Sequence, residues 1–282
     1  MHALLTPGDH AIVIVPNYQS TESVPLTICE VSGVTLNAEN GWDLDLADVR
    51  AALRPNTKLV AVNFPNNPTG KIVSRQTFEA LIALCAERGI YFLSDEVYRG
   101  IERDHSKRLP QAADLYERSL SLNVVSKAYG LPGLRVGWIA CRDRDVLGRM
   151  LKIKHYLSIC NAAPSEVLST IAIKAREKIL GRNRDLAAAN LSKLNAFFAR
   201  HASRFDWYEP DGGCIAYPRY LGSEGVEAFC ARLVDDAGVL LLPATMYRSE
   251  LMPTPPDRFR IGYGRFGMDE ALEAFDGFLA RG

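Results

Sequence analysis

The chain has 282 residues, 48% of them hydrophobic, which is enough for a large core and, by length, for about two domains. Lys+Arg and Asp+Glu both number 33, so the formal charge is +0 and no global field favours nucleic acid or a membrane surface. No apolar run could span a bilayer, and Met1-His2-Ala3-Leu4-Leu5 lacks a secretory signal; the six cysteines show no C-x-x-C spacing, so neither a zinc site nor a disulfide framework is indicated and reduced thiols in a cytoplasmic protein are expected.

In chain order, short apolar runs alternate with amphipathic stretches. Ala11 to Val15, Leu59 to Phe64, Ile90 to Leu93, Leu120 to Val125 and Val136 to Cys141 suit strands buried inside a sheet. Between the second and third run, Ser74 can cap a helix. Phe78, Leu81, Ile82 and Cys85 line one face of it, and Gly89 closes it. A helix between two strands is the signature of a mostly parallel α/β sheet. From Pro164 to Ala202 the pattern reads as long helix, broken or bent near Gly181. After Gly212-Gly213 come shorter elements: Cys214 to Tyr217, Gly225 to Ala237, Val239 to Leu242, Arg258 to Tyr263, and a final helix from Met268. They suggest a smaller α+β domain, with a proline-rich loop from Thr245 to Asp257. The expected division is 1–163 and 164–282.

Four features fall at or near strand ends, where open α/β sheets place their ligands. Asn63-Phe64-Pro65-Asn66-Asn67-Pro68-Thr69-Gly70 forms a tight turn; turn chemistry explains its prolines and glycine. Ser94-Asp95-Glu96-Val97-Tyr98 ends an apolar strand in a carboxylate, with a phenol three residues on. Acids at a helix start would look the same. In Ser126-Lys127-Ala128-Tyr129-Gly130-Leu131-Pro132-Gly133-Leu134-Arg135 a lysine directly follows a buried strand and a glycine-rich loop follows it, a composition that suits close backbone approach to something bound. Finally, Arg260 interrupts the apolar run Phe259 to Tyr263, either as half of a structural ion pair or as a fork for a substrate carboxylate.

Together, in this order and spacing, these four features resemble the cofactor-binding core of the class I/II aminotransferases. These are fold-type-I enzymes dependent on pyridoxal 5'-phosphate (PLP), and the resemblance runs along essentially the whole chain. It implies an α/β fold of the PLP-dependent transferase kind: a large, mostly parallel sheet domain, incomplete at its N-terminus, and a smaller C-terminal α+β domain. It implies that Lys127 holds PLP as a Schiff base and moves the substrate proton, an amine being the common side chain able to do so. Asp95 would pair with the pyridine nitrogen, and Tyr98 and Asn67 would hydrogen-bond the phenolic oxygen. Ser126 and Arg135 would hold the phosphate, Tyr18 would stack on the ring, and Arg260 would bind the substrate carboxylate. No metal is implied. The implied partners are an amino acid, a 2-oxo acid and a second copy of the chain, with neither nucleic acid nor membrane.

Two positions depart from the family's pattern. Val124 stands where a second serine is usual, and Gly262 where a serine is common. The resemblance also opens inside a helix of the large domain. The family's N-terminal segment, with its phosphate-capping turn and its arm over the substrate, is therefore expected to be missing. Amino-group transfer is the leading expectation. Another PLP reaction on the same scaffold (lyase, cyclase or synthase, oxidase) and a non-catalytic PLP-binding domain are the alternatives.

Overall fold

The computed structural model describes residues 1–281. A single turn at the start, with the Leu5 N–H on the Met1 carbonyl at 3.0 Å, leads into β1 (His10–Val15). Then follow α1 (Gln19–Leu26), β2 (Glu30–Thr35), α2 (Leu46–Ala52), β3 (Thr57–Asn63), α3 (Arg75–Glu87), β4 (Tyr91–Asp95), α4 (Ala112–Leu115), β5 (Ser119–Val124), β6 (Gly137–Cys141) and α5 (Arg144–Leu157). The strands form one sheet in the order β2-β1-β3-β4-β5-β6. The first five run parallel, and β6 is antiparallel to β5. Every residue of β1 is buried, as a strand needs when it is covered on both faces.

The helix between β3 and β4 starts as its sequence requires. The Ser74 hydroxyl accepts the Thr77 N–H at 2.9 Å, and Gly89 takes the left-handed conformation just past its end. Phe78, Leu81, Ile82 and Cys85 turn inward, onto a core that also holds Ile12, Val60 and Phe92.

The structure departs from the expectations at several elements. The apolar run that gives β6 is not an interior strand. Among the described residues it pairs with β5 alone, and Gly137 and Ile139 are exposed, so its apolar character reflects one covered face. The strand β2 was not expected, because Glu-Val-Ser-Gly-Val-Thr lacks a continuous apolar run; it is a half-exposed edge on the other side of β1. The long helical stretch divides at Ala175, into α6 (Ala163–Lys174) and α7 (Arg176–Arg200), and Gly181 lies inside α7 without breaking it. Ala175 leaves helical geometry at ψ 16°, whereas a Cβ at Gly181 would meet nothing closer than Arg184 at 3.8 Å.

The C-terminal part contains β7 (Phe205–Asp206), β8 (Ile215–Ala216), β9 (Arg219–Tyr220), α8 (Val226–Ala237), β10 (Leu242–Pro243), β11 (Phe259–Gly262) and α9 (Met268–Arg281). A small antiparallel sheet runs β10-β11-β8, and β7 pairs with β9. The run Val239 to Leu242 contributes less strand than expected. The chain first turns at the left-handed Gly238, so only Leu242 and Pro243 reach β11. Phe197, Phe205, Phe229, Phe259 and Phe275 pack as a connected aromatic core, the Phe197–Phe275 rings 4.8 Å apart and Phe205–Phe229 5.7 Å. Each such pair adds about 1 kcal/mol beyond its buried area. The whole is the α/β architecture of a mostly parallel sheet with a smaller antiparallel domain.

Candidate active site

The parallel strands β3, β4 and β5 end at the same edge of the sheet, and the polar residues singled out in the sequence stand there. Asn63 and Asp95, the last residues of β3 and β4, are register partners. The Asn63 side chain joins the two features: Nδ2 donates to the Asp95 carbonyl at 2.9 Å, and Oδ1 accepts the Asn67 N–H at 2.8 Å. Asn66 closes the turn, its Oδ1 accepting the Thr69 hydroxyl at 2.8 Å, while Gly70 takes a φ of +72°. Backbone of the C-terminal part approaches there closely: the Gly212 N–H donates to the Gly70 carbonyl at 3.0 Å.

Asp95 Oδ1 accepts the Val97 N–H at 3.1 Å. Burial pushes its carboxyl from 3.8 up to about 6; the Val97 N–H and the Lys127 charge act against that rise. Tyr98 is buried against Ala128, Ile101 and Ile215. Burial raises its phenol well above the usual range, and the Arg260 charge draws it back.

Lys127 follows β5 in a loop held from several sides. The Gly130 N–H donates to the Lys127 carbonyl (2.9 Å) and the Ala128 N–H to the Val97 carbonyl (3.3 Å), tying this loop to the Asp95–Tyr98 turn. From α7, Asn183 Nδ2 donates to the Ala128 carbonyl at 2.8 Å. The Lys127 side chain is exposed and near enough to Asp95 and Cys214 for its charge to act on both. Arg135 sits at φ +55°, a conformation that costs a non-glycine residue about 1 kcal/mol and is tolerated where the surroundings enforce it. Its Nη1 reaches Ser126 Oγ at 3.5 Å, an exposed hydroxyl–guanidinium pair.

Side chains alternate along β11. Phe259 and Ile261 enter the aromatic core, so Arg260 points the other way, toward the sheet edge. Its Nη1 lies 3.5 Å from Asn67 Oδ1 and its guanidinium carbon 5.9 Å from the Tyr247 ring centre. Among the described residues no carboxylate pairs with Arg260, so the structural ion pair weighed from the sequence is absent.

Asn67, Asp95, Tyr98, Lys127 and Arg260 thus converge, with Ser126 and Arg135 forming an adjoining pair. Tyr18, the residue before α1, is 49% exposed and within electrostatic reach of Tyr247. Four residues went unassigned in the sequence: Asn63, Asn183, Cys214 and Tyr247. Cys214 packs among Tyr98, Ala128 and Ile215, and burial raises its thiol while Lys127 and Arg260 oppose that rise. Only Asn63 lay within a recognised motif; the others come from helix or loop positions whose approach to the site depends on tertiary structure.

This set fits PLP. A part-buried carboxylate whose ionised form is favoured by a nearby cation, as it already is by Lys127, suits a protonated pyridine nitrogen. The Lys127 amine suits the aldehyde, the Asn67 amide and Tyr98 phenol suit the ring oxygen, and the Ser126–Arg135 pair suits a phosphate dianion.

Asp95 also gives a pH signature to the ligand-free protein. Its folded-state value is raised, so between 3.8 and about 6 the folded state holds more protons than the unfolded one, and stability falls as pH rises through that window. About two pH units correspond to roughly 3 kcal/mol at most. Asp95→Asn should therefore match the wild type in urea unfolding near pH 4 and exceed it near pH 8. A stability difference independent of pH would refute this account of Asp95.

The family profile described as aminotransferase class I and II matches residues 1–275. Capreomycidine synthase of Streptomyces vinaceus is 32% identical over 256 residues, which cover 90% of this chain and 64% of the relative. The probable N-succinyldiaminopimelate aminotransferase DapC of Mycobacterium tuberculosis is 28% identical, covering 86% of this chain and 62% of the relative. The chain thus spans less than two thirds of the length of these two proteins. Among solved structures, a PLP-dependent aminotransferase from Streptococcus suis 89-1591 superposes with a TM-score of 0.91 at 30% identity, covering 99% of this chain and 73% of that one. The PLP-dependent cyclase OrfR gives 0.88 at 27%, covering 99% and 74%.

Proposed function

The chain belongs to the class I and II aminotransferase family, whose cofactor is pyridoxal 5'-phosphate, and from that premise we propose that it moves an amino group from an amino acid to a 2-oxo acid. The observation that carries this reading is the meeting, at one sheet edge, of the Lys127 amine, the part-buried Asp95 carboxylate and the Arg260 guanidinium, which has no carboxylate partner among the described residues.

Bound PLP supplies an aldehyde that captures amines and a protonated ring that draws electrons from the substrate α-carbon. Asp95 would pair with the ring nitrogen and favour its charged form. Asn67 and Tyr98 would donate hydrogen bonds to the ring oxygen, Ser126 and Arg135 would hold the phosphate, and Tyr18 would stack on the ring. Arg260 fixes the substrate carboxylate and thereby the direction of the α-hydrogen. The Lys127 amine would take the proton from the substrate α-carbon. Tyr98, Cys214 and Tyr247 wall the site with buried surface and reduce water access.

The division at 163/164 gives the cofactor residues to the first part and Arg260 to the second. We take the working form as a cytoplasmic homodimer. Support comes from apolar residues exposed at the end of α5 and on α6, where Tyr156 is 93%, Leu157 78% and Val167 60% exposed. In the described residues no helix is long and apolar enough to cross a membrane.

A second reading is a ring-forming or eliminating PLP reaction, favoured by the similarity to capreomycidine synthase and to the cyclase OrfR. Both readings begin with the same proton abstraction, so products must separate them. The purified protein, loaded with PLP, is mixed with each proteinogenic amino acid in turn without a 2-oxo acid. Conversion of the cofactor to pyridoxamine phosphate with one equivalent of 2-oxo acid is expected. Continued release of ammonia, or a cyclised product with the cofactor unchanged, would replace aminotransfer with the second reading.

A further inference from the structure

Tyr247 belongs to the proline-rich loop from Thr245 to Asp257, a segment expected from the sequence to form part of the pocket wall, with none of its residues singled out. It ends a short 3-10 turn, Ala244–Tyr247, and is only 5% exposed. Its ring lies 5.9 Å from the Arg260 guanidinium carbon and packs edge-on against Tyr217 at 5.5 Å. Tyr217 in turn packs on Trp42 at 6.0 Å, tilted, so Tyr247 is backed by a buried aromatic cluster that fixes its position. Burial pushes its phenol up to about 12, against the pull of the Arg260 charge. Arg260 is therefore flanked by the Asn67 amide and an aromatic ring, and among the described residues no carboxylate pairs with it.

The loop itself is tied to the large domain next to Tyr18. Gln19 Nε2 donates to the Met246 carbonyl at 2.7 Å. The Glu22 carboxylate, 7% exposed, accepts the Ser249 hydroxyl at 2.7 Å and the Glu250 N–H at 2.8 Å, and a third hydrogen bond from Asn17 Nδ2 at 3.3 Å. Met252 packs over Gly33 of β2, where an added Cβ would come within 2.6 Å of its side chain. The three hydrogen bonds from the loop to Gln19 and Glu22 join residues 227 or 228 positions apart in sequence, and none belongs to the proton-transfer machinery.

We infer that Tyr247 is the positioning residue for the Arg260 fork, and that Glu22 sets where Tyr247 stands, so that the segment carrying Tyr18 and the loop backing Arg260 are held in one arrangement around the substrate carboxylate. A fixed ring beside the guanidinium, with Asn67 Oδ1 accepting from Nη1, restricts the rotation of Arg260. The inference rests on the aminotransferase reading of Arg260, and adds the residues that orient it.

The test compares wild type with Tyr247→Phe, Tyr247→Leu and Glu22→Ala, all loaded with PLP. The donors are L-alanine, whose methyl group makes little demand on a side-chain pocket, and L-alaninamide, which lacks the carboxylate. The expected result is a drop of about tenfold in the acid-to-amide ratio of single-turnover kcat/KM for Tyr247→Leu and Glu22→Ala, carried in KM. Tyr247→Phe, which keeps the ring, should fall between these and wild type, and PLP affinity should be unchanged in all. A second arm reads Arg260 without turnover: phenylglyoxal labelling mapped to its peptide, with and without acetate. Acetate should shield Arg260 in wild type and less in Tyr247→Leu and Glu22→Ala. Unchanged ratios, equal shielding across the variants, or no shielding in wild type would overturn the inference. A wild type that converts neither donor nor any other amino acid would remove the aminotransferase reading, and the labelling arm alone would then decide the role of Tyr247.

Discussion

Replacing Lys127 with alanine is expected to lower turnover by about four orders of magnitude while leaving the fold intact. The amine carries two tasks, cofactor capture and proton transfer; general acid–base catalysis alone accounts for about 10²- to 10⁴-fold, and groups that act as a unit are lost together. The backbone here is held by bonds that alanine keeps: Gly130 N–H to the Lys127 carbonyl, Ala128 N–H to the Val97 carbonyl, and Asn183 to the Ala128 carbonyl. The Lys127 side chain is exposed, so its removal should shift stability by no more than about 0.5 kcal/mol. Lys127→Arg separates charge from nucleophile. It preserves a positive group near Asp95, but a guanidinium that stays protonated can neither condense with an aldehyde nor take a proton. Borohydride reduction and peptide mapping should find the cofactor on Lys127 in wild type and in neither variant. Turnover by Lys127→Arg within tenfold of wild type would mean that Lys127 serves only as a charge.

Chain order made most of this site legible. The turn after β3, the carboxylate ending β4 and the lysine after β5 are each local in sequence, and a parallel sheet brings the ends of adjacent strands to one edge. The helix from Ser74 to Gly89 was equally legible, because its cap, its apolar face and its stop signal agree. Edges were harder. The strand β2 carries Ser32 and Gly33 on an exposed margin, so no apolar run announces it, whereas β6 has the run and lies at the other margin. Periodicity reports how a strand is covered and does not report its neighbours. The residues missed around the site share a different cause. Tyr247 meets Arg260 because β10 and β11 pair, and Glu22 meets Ser249 across 227 positions of sequence. Neither a loop tyrosine nor a glutamate early in a helix carries a local signature of such a contact.

Arg260→Leu is expected to reduce kcat/KM for amino acids by about 10²- to 10³-fold and to leave L-alaninamide almost unaffected. The side chain leaves β11 on the face opposite Phe259 and Ile261, so leucine there does not enter the aromatic core, and the loss should fall on binding. Truncating one partner of a desolvated, hydrogen-bonded charge pair costs about 2–5 kcal/mol, which sets the size of the effect. Arg260→Lys keeps the charge and loses the planar fork. It can approach the carboxylate with one ammonium group but cannot hold both oxygens while also donating to Asn67 Oδ1, so activity should recover only in part. The order wild type, lysine, leucine in the acid-to-amide ratio would identify a bidentate carboxylate site. Equal losses for acid and amide in Arg260→Leu would mean instead that the arginine acts on the cofactor residues, through Asn67 or through the charge it places near Tyr98. The affinity for PLP distinguishes these directly, because a carboxylate fork leaves it unchanged, whereas an arginine that orders Asn67 and Tyr98 weakens it when removed.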